Sequence, residues 1–213
     1  MTIAIPRLDR SSAEERGITL ADFLVPIRVG ERTPTWVRHV ALVLAGTFIV
    51  AASAQVIIPA SPVPFTGQTL GVLLVGGALG FRRGLMALLL YLAIGAMGVA
   101  VFTPGPTQGM ARVLGPTGGY ILGFIVAAAI VGRLAELGWD RKIGGSLAAM
   151  AIGTAVIYTV GVPWLKLTLA WPWERAITEG MTKFLIWDVA KLAVAAGIFP
   201  VAWWLIGRRP EDR

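Results

Sequence analysis

Polar and apolar positions in this chain separate into blocks instead of alternating with a helical or strand period. From about residue 36 onward, long apolar runs are broken by short clusters of proline, glycine and charge. A helix of a soluble domain keeps a wet face along its length. A run of about 18 or more mainly apolar residues is instead long enough to cross a bilayer. The pattern predicts an all-α membrane protein with six transmembrane helices, over 36–58, 66–80, 84–102, 119–134, 143–165 and 184–206. Residues 1–35 read as a cytoplasmic extension, in which ITLADFLVPI (18–27) suits a short amphipathic helix on the membrane surface, and 207–213 as a cytoplasmic tail.

The second run is the short one, because at about 1.5 Å per residue it barely matches a hydrocarbon core about 30 Å thick. Charge placement argues that it crosses. With six crossings one side holds Arg7, Arg10, Arg16, Arg28, Arg32, Arg38, Arg82, Arg83, Arg133, Arg141, Lys142, Arg208, Arg209 and Arg213. The other side holds only Arg112, Lys166, Arg175 and Lys183. Loops rich in Lys and Arg stay in the cytoplasm, so both termini are expected there, in a multi-pass protein of the cytoplasmic membrane.

Composition changes the picture mainly by exclusion. The chain is 56% hydrophobic and 15% charged, with a net charge of +7. Because the cations sit beside apolar runs as topology signals, the charge is not read as a nucleic-acid surface. There is no cysteine and a single histidine, His39, so disulfides, thiolate chemistry, the usual metal sites and histidine-based triads are not expected, nor is a cofactor. No GxxxxGK[ST] loop is present to cradle a nucleotide. The N-terminal stretch mixes acids with bases and lacks the apolar core of a signal peptide. Small residues four apart (Ala41/Ala45, Gly67/Gly71, Gly76/Gly80, Gly119/Gly123) mark helix faces for close packing within the chain or against another membrane subunit.

One pair carries candidate chemistry. Asp188 and Lys191, in KFLIWDVAKLAVAAG, are the ionisable residues set deep in an apolar run, and their spacing puts them on one helix face. Either group alone in hydrocarbon is costly, so both are expected to face a protein interior or a polar cavity, as a helix-pinning salt bridge or as a binding site. Lys191 lies about seven residues, or roughly 10 Å, from the outer end of the last run. The loop GPTGGY (115–120) offers backbone amides at a helix start. PFTGQT (64–69) opens the second run with a polar face, and its Gln68 needs a partner. These residues suit a binding site on the outer side. They also leave open an intramembrane enzyme using Asp188 as acid or base, and a channel or proton-coupled carrier.

VPFTGQTLGVLLVGGALGFRRG, YLAIGAMGVAVF, LGPTGGYILGF, GVPWL and WDVAKLAVAA, taken in that order over 36 to about 200, resemble the BioY family. This family comprises the biotin-specific substrate-binding (S) components of energy-coupling-factor (ECF) transporters. The resemblance implies an S-component-like six-helix bundle that binds biotin near the outer face and catalyses nothing. It implies as partners a transmembrane coupling protein and two cytoplasmic ATPase subunits, with Ala41 and Ala45 candidates for the face that meets the coupling protein. Asp188 and Lys191 are then expected to anchor biotin. Phe65, Tyr120, Trp164 and Trp187 would pack on its rings, and Thr66, Gln68, Gly118 and Gly119 would add polar contacts. Another vitamin, such as thiamine, is the alternative ligand. The chain departs from the family pattern at Gly67 and at Trp187.

Overall fold

The computed structural model describes residues 19–24 and 34–206. Its helices are α1 (Leu20–Leu24), α2 (Thr35–Gln55), α3 (Gln68–Ala96), α4 (Met110–Leu114), α5 (Gly118–Glu136), α6 (Ile143–Leu169), α7 (Trp173–Gly180) and α8 (Leu185–Ile206). A two-residue antiparallel ribbon, β1 (Ile57–Ile58) on β2 (Phe65–Thr66), closes the loop between α2 and α3. Among the described residues, five helical segments are long and apolar enough to cross a membrane: Thr35–Gln55, Gln68–Ala96, Gly118–Glu136, Ile143–Leu169 and Trp173–Leu205.

The second and third expected helices follow one another directly within α3, and the break between them lies at Gly80. Its φ of 80° and ψ of −178° are not helical. A straight helix would separate Gln68 from Tyr91 by about 35 Å, yet the Gln68 amide donates to the Tyr91 hydroxyl at 2.7 Å. A Cβ on Gly84 would meet the Cα of Gly76 at 3.3 Å. The chain doubles back at Gly80 with no connecting loop, so that 68–79 (arm 1) and 81–96 (arm 2) lie antiparallel. The Glu136 carboxylate accepts the Phe81 backbone N–H at 2.8 Å, satisfying an amide at the start of arm 2.

Around this hairpin, α3 packs on α2, α5 and α8, while α6 packs on α5, α7 and α8. The core runs through Val72, Val75, Leu88, Tyr91, Phe124, Ile157 and Leu165. A second cluster joins Leu73, Val131, Met150, Phe199 and Trp203. Most of the glycine pairs are spent inside the chain. Gly76 lies against the backbone of Ala128, Gly119 against Trp164 and Gly123 against Ile157, where a Cβ would collide or crowd. Ala41 and Ala45 differ: both are exposed on α2.

The described part of the expected amphipathic segment, residues 19–24, is docked on the bundle. Thr19, Leu20 and Ala21 are buried, with Leu20 in the Phe199/Trp203 cluster. Asp22 accepts from Arg38 at 2.6 Å and from Arg83 at 2.7 Å, clamping α1 to α2 and to arm 2. Burial alone would raise the Asp22 carboxyl, but the Arg83 charge and the hydrogen bonds from Arg83 and Thr19 outweigh it and hold the pKa below its usual 3.8. The rest of that expected helix, the remainder of the N-terminal extension and the C-terminal tail lie outside the described residues, as do Arg7, Arg10, Arg16, Arg28, Arg32, Arg208, Arg209 and Arg213.

Candidate functional site

The end of the bundle away from Gly80 holds a recess whose empty space, open solvent included, is about 620 Å³. Its walls come from the start of arm 1, the end of arm 2, the start of α5, the middle of α6 and the start of α8. Two polar clusters face it, one on each side of the first turn of arm 1.

The first cluster is built on Asp188, only 4% exposed although flanked in sequence by apolar residues. Asp188 Oδ1 accepts from Lys191 Nζ at 3.0 Å and from the Thr69 hydroxyl at 3.4 Å. Lys191 Nζ also donates to Thr69 Oγ1 at 3.0 Å. The Tyr158 hydroxyl of α6 donates to Asp188 Oδ2. The carboxylate is thus held by donors from three helices, as a buried charge requires. Asp188 and Lys191 do not clasp one another alone: both, with Thr69 and Tyr158, line the hollow.

The second cluster centres on Gln68, whose amide donates to Tyr91 and whose Oε1 accepts from Thr103 at 3.2 Å. These supply the partners that a buried glutamine needs. Arg112, on α4, lines the cavity beside them and donates to the Thr103 carbonyl at 3.2 Å. Burial lowers the Arg112 pKa from its usual value, yet a guanidinium remains charged in a protein. Between the clusters the walls are apolar, from Val63, Phe102, Ile121, Phe124 and Ile157. Phe184 lines the cavity and meets Phe65 with ring centroids 4.4 Å apart. Tyr120 lines it too and donates to the Gly180 carbonyl at 2.7 Å, tying α5 to the end of α7.

The structure gathers Asp188, Lys191, Gln68, Thr66 and Tyr120 around one hollow, with Phe65 one ring away. It places four expected residues elsewhere. Trp187 is 54% exposed and absent from the lining, because the position before Asp188 lies about 100° around α8 and turns outward. Trp164 turns its indole N–H to the Gly115 carbonyl at 2.9 Å and covers Gly119 instead of the cavity. Gly118 and Gly119 are consumed by packing on Val113 and Trp164, and it is Thr117 that reaches the lining. The sequence reading missed Tyr158, Tyr91, Thr103 and Arg112. A tyrosine in an apolar run marks a buried hydroxyl in need of a partner, but nothing local says that its partner is Asp188, 30 residues away.

What the cavity can do follows from its lining. It presents a carboxylate and two cations to a ligand that carries donors and acceptors on an apolar body. Among the described residues no cluster of three metal-ligating side chains occurs.

Comparison with known proteins bears on the family and the fold. The model of the BioY family matches residues 24–208. The biotin transporter BioY of Thermotoga maritima is 39% identical over 158 residues, covering 73% of this chain and 90% of that protein. The biotin transporter BioY2 of Lactococcus lactis is 36% identical, covering 76% and 87%. A crystal structure of the S-component for biotin from an ECF-type ABC transporter superimposes with a TM-score of 0.70 at 24% identity, covering 80% of this chain and 93% of that one. These relatives are transporters and not enzymes, and with its apolar helices this chain is an integral membrane protein. A family match over most of its length, with relatives sharing more than a third of their residues, places the chain in the BioY family.

Proposed function

We propose that this protein binds biotin and serves as the substrate-specificity subunit of an ECF-type transporter in the cytoplasmic membrane. The observation that carries the reading is the buried Asp188–Lys191 pair set beside a cavity, in a chain whose relatives are named biotin transporters. Biotin has a ureido ring with two N–H donors and a carbonyl, a thioether ring and a carboxylate tail. Asp188 accepts from the ureido N–H groups, and Lys191 donates to a ligand oxygen. Gln68 and Thr66 add polar contacts, and Tyr120, Phe65 and Phe184 close on the rings. Arg112, from the second cluster, offers a further cation for an anionic tail. A charge-assisted hydrogen bond in such a site is worth about 1.5–3 kcal/mol. Radiolabelled biotin binding to purified Asp188→Asn and Lys191→Ala proteins should therefore weaken at least about tenfold in each. Near-normal affinity in both variants overturns the assignment. A stronger thermal stabilisation by thiamine than by biotin would move the site to another vitamin.

The same reading takes arms 1 and 2 as separate crossings, giving six transmembrane helices with both termini in the cytoplasm. The Gly80 turn, Arg82/Arg83, and Arg141/Lys142 then share the cytoplasmic end, and the cavity opens outward. Because the chain has no cysteine, single cysteines are unique probes. A membrane-impermeant maleimide applied from outside should label Thr107→Cys and spare Lys142→Cys; the reverse pattern would invert the topology. Exposed Ala41 and Ala45 are the proposed meeting face for a transmembrane coupling protein, itself driven by two ATPase subunits.

A further inference from the structure

The end opposite the cavity carries a second recess that the binding function does not use. It lies between α2 and arm 2, and the end of α5 closes it on one side. Its length is apolar, from Val40 and Leu44 on α2 and from Met86 and Leu90 on arm 2. Its head carries Arg82, Arg83 and Arg133 around Glu136, with His39 beside them. Arg82 and Leu90 are eight residues apart, so the apolar wall extends about 12 Å from the charged rim.

Among the described residues, the three guanidiniums at the rim, Arg82, Arg83 and Arg133, face two carboxylates, Asp22 and Glu136. Asp22 is shared by Arg38 and Arg83, and Glu136 is held by Arg133 and by the Phe81 amide. Arg82 and His39 are exposed and enter no ion pair among the described residues. Arg83 Nη1 is buried without a hydrogen-bond partner there. An exposed guanidinium such as Arg82 at the head of a greasy trough calls for an anion that brings its own apolar tail.

From this arrangement we infer that the recess is a site for an anionic phospholipid of the leaflet at that end. Its phosphate sits among Arg82, Arg83 and Arg133, and an acyl chain lies along Leu44, Met86 and Leu90. A free phosphate would satisfy the rim but leave the trough wet, and a zwitterionic lipid would bring a cation to a rim already in cationic excess. Basic pockets between transmembrane helices favour anionic headgroups for this reason, each Lys or Arg contributing about fivefold in affinity. The inference rests on the membrane orientation proposed above, which sets this end in the cytoplasmic leaflet.

The test is native mass spectrometry of the full-length protein, released from detergent containing equal phosphatidylglycerol and phosphatidylcholine. Wild type should retain phosphatidylglycerol preferentially. Arg82→Gln and Arg133→Gln should each lower that retention about fivefold, and together about twentyfold or more. Lys142→Gln, an exposed cation at the same end outside the recess, should leave it unchanged. Unaltered biotin affinity in all three variants verifies that they fold, so failure of the lipid reading and failure of the biotin reading are separable. Equal retention of the two lipids, or an equal drop in Lys142→Gln, overturns the proposal. So does displacement by soluble glycerol phosphate, which would assign the rim to a free anion. Disulfide-linked dimers through Leu44→Cys with unchanged lipid retention would give the recess to a second copy of the chain.

Discussion

Two buried aspartates sit at opposite ends of the bundle, each with a cation three or fewer residues away; Asp188 lines the cavity, and Asp140 lines neither recess described above. Asp188 is tied to Lys191, Thr69 and Tyr158, and all four line the cavity. Asp140, 1% exposed, lies in the turn Trp139–Arg141 and accepts the Trp203 indole N–H at 2.7 Å. Arg141 approaches it at 3.6 Å and lies over the Trp203 ring, 4.1 Å from its centroid. Asp140 lines neither of the two recesses described above, and the Trp203 side chain beside it belongs to the packed α8 cluster. A buried charge pair is therefore not a site by itself. Where its spare hydrogen-bonding capacity meets packed side chains it pins helices; where it meets a cavity it can hold a ligand.

The two aspartates should thus fail in different assays. The largest effect expected is on stability, in Asp140→Ala. Removing one partner of a buried pair leaves the other desolvated and costs about 3–5 kcal/mol, so thermal unfolding in detergent should drop by several degrees or more while biotin affinity in the surviving protein stays near wild type. An altered dissociation constant there would erase the distinction between the two ends. Tyr158→Phe should show the opposite pattern at smaller scale. Losing a neutral donor to a charged acceptor costs about 1.5 kcal/mol or more, which titration should report as biotin binding roughly tenfold weaker, with melting shifted less than in Asp140→Ala.

The acid limb gives a finer contrast at the Asp140 end. Burial raises the Asp140 carboxyl above its usual 3.8, with the Trp203 hydrogen bond and the Arg141 charge only partly opposing. For Asp22 the Arg83 pair wins and the value falls below 3.8. A depressed carboxyl stabilises the fold above its unfolded value and loses that contribution as pH falls through the folded one. The α1 clamp should therefore hold at neutral pH and loosen only below about pH 3.8. Hydrogen exchange at residues 20–22 across that range, compared with Asp22→Asn, measures it. Exchange that is slow and pH-independent in both proteins would remove Asp22 from the clamp. The smallest effect expected is in Trp187→Leu. With its side chain turned away from the cavity, biotin affinity should change less than about twofold, within the usual range for a surface substitution. A tenfold loss would bring Trp187 back to the ligand.

Much of the outline was legible in the chain. Apolar runs bounded by Pro, Gly and Arg located the helices within a few residues; the last run, 184–206, corresponds to α8 at Leu185–Ile206. Asp188 and Lys191 stood out because a charge in an apolar run has few benign explanations. Asp140 did not, because a carboxylate beside Trp, Arg and Lys reads as an ordinary wet turn. The α1 segment was legible as amphipathic, but not as docked, since the surface that receives Thr19 and Leu20 is made by Gly80, Phe199 and Trp203.

The chain alone determined that this is a membrane protein, roughly where its helices run, and which acid–base pair must be sheltered. Those conclusions depend on transfer from water to hydrocarbon, a property of each residue and its near neighbours. Only the tertiary structure decided that the reversal expected at 80–84 is made at Gly80 with no connecting loop, that Tyr158 and Thr69 complete the Asp188 cluster, and that Trp164 and Trp187 stay out of the cavity. These depend on which helix faces meet across more than a hundred residues, as Thr69 meets Asp188, and no local pattern encodes such a meeting.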